Sequence, residues 1–126
     1  ESAEAIVICP SNPWVSIDPI LRVISLIPAL LPKGEGGPVV AVSPIIGGKT
    51  VKGPAAKRYL ELGIEPSALA VAEHYRGLLS GFVLDSVDSE LSIKISVKTL
   101  INDTLMENLA GRTRLAMDVL NFVRSL

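Results

Sequence analysis

Val39-Val40-Ala41-Val42-Ser43-Pro44 is an uninterrupted apolar run closed by a serine and a proline, and Ala5-Ile6-Val7-Ile8-Cys9-Pro10 repeats the pattern nearer the start of the chain. A strand with one wet face alternates apolar and polar residues. A continuous apolar run of four or five instead reads as a strand buried on both faces, the habit of parallel sheets. Phe82-Val83-Leu84, between Gly81 and Asp85, is a third candidate strand and Val97 to Ile101 a fourth. Helical signals lie between them. Asp18 before Pro19, Gly53 before Pro54 and Pro66-Ser67 before Ala68 fit helix starts. Gly63 fits a left-handed cap on a helix from Pro54 to Leu62, and a further helix is predicted from Ala68 to Leu79. In Ser86 to Ser96 the alternation of Leu91, Ile93, Ile95 and Val97 competes with helix; it is read as a turn and a short helix. In the last helix Thr104 and Glu107 have capping-box spacing. Leu115, Val119, Phe122 and Leu126 form its apolar stripe, with Arg112, Arg114, Asp118 and Arg124 away from it. Strand and helix alternate, which predicts an α/β layered fold with a mostly parallel sheet. Ligands of such folds sit outside the carboxyl ends of the strands, here just after Cys9, Val42 and Leu84.

Composition narrows the function. The 126 residues are 48% hydrophobic and 20% charged, with a mean hydropathy of +0.46, so a chain of single-domain length carries more apolar surface than usual. Twelve Lys and Arg face thirteen Asp and Glu, a net charge of -1. There is no global basic field for a nucleic-acid backbone, and no nucleic-acid partner is expected. The apolar stretch Val23 to Leu31 is cut by Ser25 and Pro28, well short of the roughly 20 residues that a membrane helix needs, so no membrane span is expected. The one cysteine, Cys9, excludes an internal disulfide framework and reads as a small core residue. No basic-then-apolar signal segment opens the chain, and the expected address is the cytoplasm. All nine prolines lie between Pro10 and Pro66, with seven of the ten glycines, so the first half is expected to carry the shaped loops. The start at Glu1 reads as a cut from something longer.

Two segments are candidates for chemistry. In Pro10-Ser11-Asn12-Pro13-Trp14-Val15-Ser16-Ile17-Asp18-Pro19, two prolines bracket Ser11 and Asn12 where a strand ends, and a helix N-terminus with free amide donors follows. The hydroxyls of Ser11 and Ser16, the amide of Asn12 and the helix dipole could cradle an anion or nucleotide. The segment is equally a rigid turn in which Ser16 or Asp18 caps the helix. In Ser43-Pro44-Ile45-Ile46-Gly47-Gly48-Lys49-Thr50-Val51-Lys52-Gly53-Pro54, paired glycines admit close backbone approach and Lys49 and Lys52 bring positive charge to phosphates. P-loop spacing is absent, and Gly47-Gly48 is also readable as a plain hairpin with solvated lysines. His74 reads chiefly as a packed or surface residue and Asp103-Thr104 as a cap, Asp85 equally as a cap or turn residue or as a holder of a metal or ribose hydroxyl, and Trp14 as a stacking surface or a plug.

Taken together, Cys9-Pro10-Ser11-Asn12-Pro13 with Ser16-Ile17 and Pro19-Ile20-Leu21, Val42-Ser43-Pro44-Ile45-Ile46-Gly47-Gly48 with Val51-Lys52-Gly53-Pro54-Ala55, His74-Tyr75, Gly81-Phe82-Val83 and Asp103-Thr104-Leu105-Met106 resemble the 2-phospho-L-lactate transferases over nearly all of the chain. The resemblance implies a Rossmann-like fold of which residues 1–126 are the C-terminal portion, the N-terminal glycine-rich part being absent and the isolated chain inactive. It implies transfer of a 2-phospholactyl or phosphoenolpyruvyl group from a guanosine diphosphate-linked donor to a deazaflavin alcohol, in coenzyme F(420) biosynthesis. GMP would be released, with Mg2+ as cofactor and a homodimer as the full-length form. Ser11, Asn12, Pro13 and Ser16, with Gly47, Gly48, Lys49 and Lys52, would line the donor's nucleotide and phosphate crevice. No catalytic residue and no metal ligand is assigned within the chain. A rival of another class is the related nucleotide-sugar-binding regulatory factors, which carry a glycine-serine-rich loop where this chain has Pro10-Ser11-Asn12-Pro13. A third reading is an inert fragment that folds only against a missing half.

Overall fold

The computed structural model describes residues 4–25, 37–50, 59 and 61–126 of the chain. Its centre is a four-stranded, wholly parallel sheet of β1 (Ile6–Ile8), β2 (Val39–Val42), β5 (Gly81–Asp85) and β6 (Lys98–Asn102), side by side in that order. Between β2 and β5 a small antiparallel hairpin of β3 (Ile45–Ile46) and β4 (Lys49–Thr50) stands off the sheet. The described elements also include three α-helices, α1 (Asp18–Ser25), α2 (Ala68–His74) and α3 (Leu109–Arg124), with a π-type turn (Pro13–Ile17) and a 3₁₀ helix (Ser86–Lys94). The fold is α/β with a parallel sheet, as the alternation of elements predicts, and Rossmann-like in character, as the resemblance implies.

The apolar runs become central strands because both faces find a partner. In register Ala41 lies beside Phe82, and Val42 beside Val83. Side chains alternate across a strand, so Ala41, Phe82 and Leu84 share one face with Ile8, while Val40, Val42 and Val83 share the other. The first face is covered by Ala68, Val71 and Ala72 of α2, by Tyr59 and Tyr75, and by half-buried Trp14, Ile17 and Leu21. The second is covered by Leu115, Val119 and Phe122 of α3. Each such apolar side chain withdrawn from water contributes about 1.5–3 kcal/mol. Leu126, the fourth residue of the predicted stripe, stays exposed. The polar side of α3 is tied down as well: Arg114 Nη1 donates to Asn102 Oδ1 (2.6 Å), whose Nδ2 donates to Asp118 Oδ2 (2.9 Å).

Two expectations for β1 fail together. It is parallel, but it lies at an edge of the described sheet, and its middle residue Val7 is 38% exposed. Cys9, read as a core residue, is exposed, one residue beyond the end of the strand at Ile8.

Helix ends show which local signals held. Ser67 caps α2 by accepting from Ala70 N (3.0 Å), as its position after Pro66 predicts, but the helix ends at His74 rather than Leu79. Tyr59 and Glu61 are helical, Gly63 has φ +66°, and Ile64 N donates to Tyr59 O (2.9 Å). This is the bond that closes a helix through a left-handed glycine. The start of that helix, with Gly53 and Pro54, lies outside the described residues. Ser86–Lys94 is a 3₁₀ helix, in line with the turn and short helix expected there. The last helix is capped by Asn108, which accepts from Gly111 N (2.8 Å), and not by the predicted Thr104, whose hydroxyl is bonded elsewhere. Among the described residues no helix is long and apolar enough to cross a membrane.

Candidate functional site

Because all four strands run the same way, the segments after Cys9, Val42, Asp85 and Asn102 leave one edge of the sheet. Both candidate loops therefore lie at the carboxyl edge.

The first loop folds back on itself. Asn12 Oδ1 accepts from Trp14 N (3.1 Å) and Val15 N (3.2 Å), and its carbonyl accepts from Ser16 N (3.0 Å) and Ile17 N (3.3 Å). A five-residue π-type turn, Pro13–Ile17, thus precedes α1, and Asn12 caps it. The sequence reading placed the cap at Ser16 or Asp18 and left the first amides free. The asparagine wins because Pro13, lacking an N–H and preset in φ, starts the turn directly after it. Pro13 is buried, Ser11 and Asn12 are half-buried, and Ser16 is exposed.

Relieved of capping, the Asp18 carboxylate meets His74 Nε2 at 2.7 Å, joining α1 to the end of α2. The histidine also packs on Trp14, ring centroids 4.6 Å apart, and Trp14 stands edge-on to Tyr59 at 4.7 Å. Trp14 is thus the plug that seats the loop on the core. The Tyr59 and Tyr75 hydroxyls are buried with no hydrogen-bond partner among the described residues. Burial pushes Tyr59 up to about 12, and it pushes Tyr75 up as well, with the Asp18 charge and Tyr59 adding to it. Both phenols stay neutral at physiological pH. The Asp18–His74 bond is only about one-fifth exposed. A double-mutant cycle with Asp18→Ala and His74→Ala, followed by chemical denaturation, is expected to give a coupling of about 1 kcal/mol.

The second loop is a hairpin. Gly47 and Gly48 have φ +57° and +72°, the pair of left-handed residues that a two-residue turn matched to strand twist requires. Its base is set by buried Ser43, whose Oγ accepts from Ile45 N (3.1 Å) and donates to Ile45 O (3.0 Å), while Ser43 N donates to Val83 O (2.8 Å). Gly47, Gly48 and Lys49 are exposed at the tip. Lys52 lies outside the described residues. The plain-hairpin reading of the glycines is thus correct in form, and it presents Lys49 to solvent at the carboxyl edge.

Behind the hairpin lies a buried carboxylate. Asp85, the last residue of β5, accepts from Val87 N (3.0 Å) through Oδ1 and from Thr104 N (2.8 Å) and Thr104 Oγ1 (3.0 Å) through Oδ2. Burial alone would raise this carboxyl, but those bonds, with a longer one from Ser86 Oγ, outweigh it and hold the group below the usual carboxylate range. Three residues on, Asp88 is also buried, and its Oδ2 accepts from Gly47 N (3.0 Å). The sequence reading left Asp85 open between capping and holding a metal or ribose hydroxyl and gave Asp103-Thr104 to capping; Asp85 does cap the turn that follows it, Thr104 instead donates to Asp85, and Asp88 was missed. The visible signal was a second aspartate three residues after the first, in a segment read as a turn. Among the described residues no group of three His, Cys, Asp or Glu could hold a metal ion, and both buried aspartates are occupied by backbone donors.

Residues 1–110 match the family 2-phospho-L-lactate transferase CofD. The 2-phospho-L-lactate transferase of Methanocaldococcus jannaschii is 36% identical over 126 residues, which is 100% of this chain and 39% of that protein. That of Methanopyrus kandleri is 35% identical, over 98% of this chain and 39% of the relative. The phosphoenolpyruvate transferase of Streptomyces coelicolor is 44% identical over 94 residues, 74% of this chain and 29% of the relative. The chain therefore spans about two-fifths of the length of the archaeal relatives, and with a family match over most of its residues it belongs to the 2-phospho-L-lactate transferase CofD family.

Proposed function

We propose that the protein carrying this chain is a transferase of coenzyme F(420) biosynthesis. It moves a 2-phospholactyl or phosphoenolpyruvyl group from a guanosine diphosphate-linked donor to a deazaflavin alcohol and releases GMP. The observation that carries the reading is the exposed Gly47-Gly48-Lys49 tip, held at the carboxyl edge of a parallel sheet in a chain of this family. The two groups named for the donor reflect relatives called 2-phospho-L-lactate transferase and phosphoenolpyruvate transferase. Residues 1–126 are proposed as the C-terminal portion of the catalytic domain, working in a cytoplasmic homodimer.

The chemistry is displacement at phosphorus. The acceptor hydroxyl forms a new O–P bond as the P–O bond to GMP breaks, and the hydroxyl proton departs. Catalysis of this kind consists mainly of positioning and charge stabilisation, so no covalent nucleophile is required. Lys49 and Lys52 supply positive charge to the donor phosphates, and Gly47 and Gly48 let the backbone approach them. Ser11 and Ser16 offer hydroxyls. Asn12 offers Nδ2 alone, since its oxygen is committed to the turn, and Pro13 fixes the loop's entry. Magnesium is proposed as counter-charge for the diphosphate; among the described residues no group of three His, Cys, Asp or Glu would hold it.

The test is product formation by the intact protein. Incubated with the guanosine diphosphate-linked donor and the deazaflavin alcohol, it is expected to release GMP in step with the phosphodiester product. Binding of a UDP-sugar in preference to GDP, with no GMP released, would assign the protein to the nucleotide-sugar-binding class instead.

A further inference from the structure

The geometry points to Asp88 as a positioning residue that sets the Gly47-Gly48 tip for the donor's phosphates, an inference that rests on the donor-binding reading above. Asp88 occupies a kink in the 3₁₀ segment, with φ -100° and ψ 15°, and its side chain is turned into the protein, 7% exposed. Such backbone is sparsely populated and is usual where a turn aims a side chain. The carboxylate accepts a single described bond, from Gly47 N, across 41 positions of sequence.

The restraint continues inward. Val87 N is held by Asp85, and Asp85 is held by Thr104 beyond the end of β6. A continuous series of contacts therefore links the segment after β6, the turn after β5 and the hairpin after β2. Its outermost bond fixes Gly47, two residues before Lys49. A buried carboxyl oxygen needs a hydrogen-bond partner, and Gly47 N supplies it. A phosphate-binding loop built on two left-handed glycines is otherwise free to deform, since glycine loses the most conformational entropy on ordering. Asp88 removes that freedom without touching the ligand.

The experiment uses the intact protein, GDP as the titrant in calorimetry, and amide exchange of residues 45–50 as a readout independent of ligand. Asp88→Ala is expected to speed exchange at the tip and to weaken GDP binding about 10-fold, whereas Asp88→Asn, whose Oδ1 still accepts from Gly47 N, stays within about 3-fold. Should Asp88→Ala fail to fold, Asp88→Glu keeps the charge but displaces the acceptor by a methylene, and about a 5-fold loss is expected. Lys49→Ala separates the two levels of the argument. If it weakens GDP while the Asp88 variants bind as wild type, the positioning role is overturned and the donor site stands. If none of these variants changes GDP affinity, the donor site itself is wrong and the role of Asp88 falls with it.

Discussion

Replacing Asp85 with alanine is expected to cost the intact protein about 3–5 kcal/mol of stability, read by chemical denaturation, since a buried donor left without its acceptor costs about 1–3 kcal/mol. Three donors lose their partner at once: Val87 N, Thr104 N and Thr104 Oγ1. The site cannot readily take up water in compensation, because Asp85 is 4% exposed and Thr104 5%. Asp85→Asn keeps one acceptor but turns an amide N–H₂ towards a donor, so about half that loss is expected. The same carboxylate contributes a pH dependence. Its folded-state pKa is depressed, so its contribution is complete above the ordinary aspartate value, about pH 4, and is lost as pH falls through the native value. The wild-type protein is expected to lose this part of its stability on acidification below that point, and Asp85→Ala to lack it. A variant as stable as wild type, with an unchanged acid limb, would show that the bonds around Asp85 are not holding the ends of β5 and β6 together.

The central sheet was legible in the sequence because its signal is local. Val39–Val42 forms over the range that its apolar run marks, and Phe82 to Leu84 needs only one residue added at each end. Ser67 and Gly63 act where they were placed, since a cap depends on neighbours within one turn. The misreadings share one cause. Asp18 and Thr104 both have the chemistry and spacing of caps, yet each is claimed by a partner distant in sequence, His74 at 56 positions and Asp85 at 19. Asn12, directly before Pro13, and Asn108, directly before Leu109, then take the starts of the π-type turn and the last helix. Val7 and Cys9 failed for a related reason, in that a run of apolar residues does not say how many neighbours its strand has. In the candidate site, the exposed tip at Gly47, Gly48 and Lys49 was legible from composition. Asp88 was not, because its one partner lies 41 positions away.

The largest binding effect is expected from Lys49→Ala combined with Lys52→Ala. A charge-assisted contact contributes about 1.5–3 kcal/mol, so losing two such contacts to a diphosphate corresponds to about a 100-fold fall in affinity or more. The hairpin should survive the change, because its fold rests on Ser43, the two glycines and Asp88 rather than on the exposed Lys49 side chain. Asn12→Ala acts on the other loop: it uncaps Trp14 N and Val15 N, at a cost of about 1 kcal/mol in stability, and is expected to weaken the nucleotide less than the lysine pair does. The measurement that bears most directly on the account is calorimetric titration of the intact protein with GDP, wild type against the lysine pair. The account predicts GDP binding by the wild type and about a 100-fold loss in the variant; equal affinity in the two proteins would contradict it.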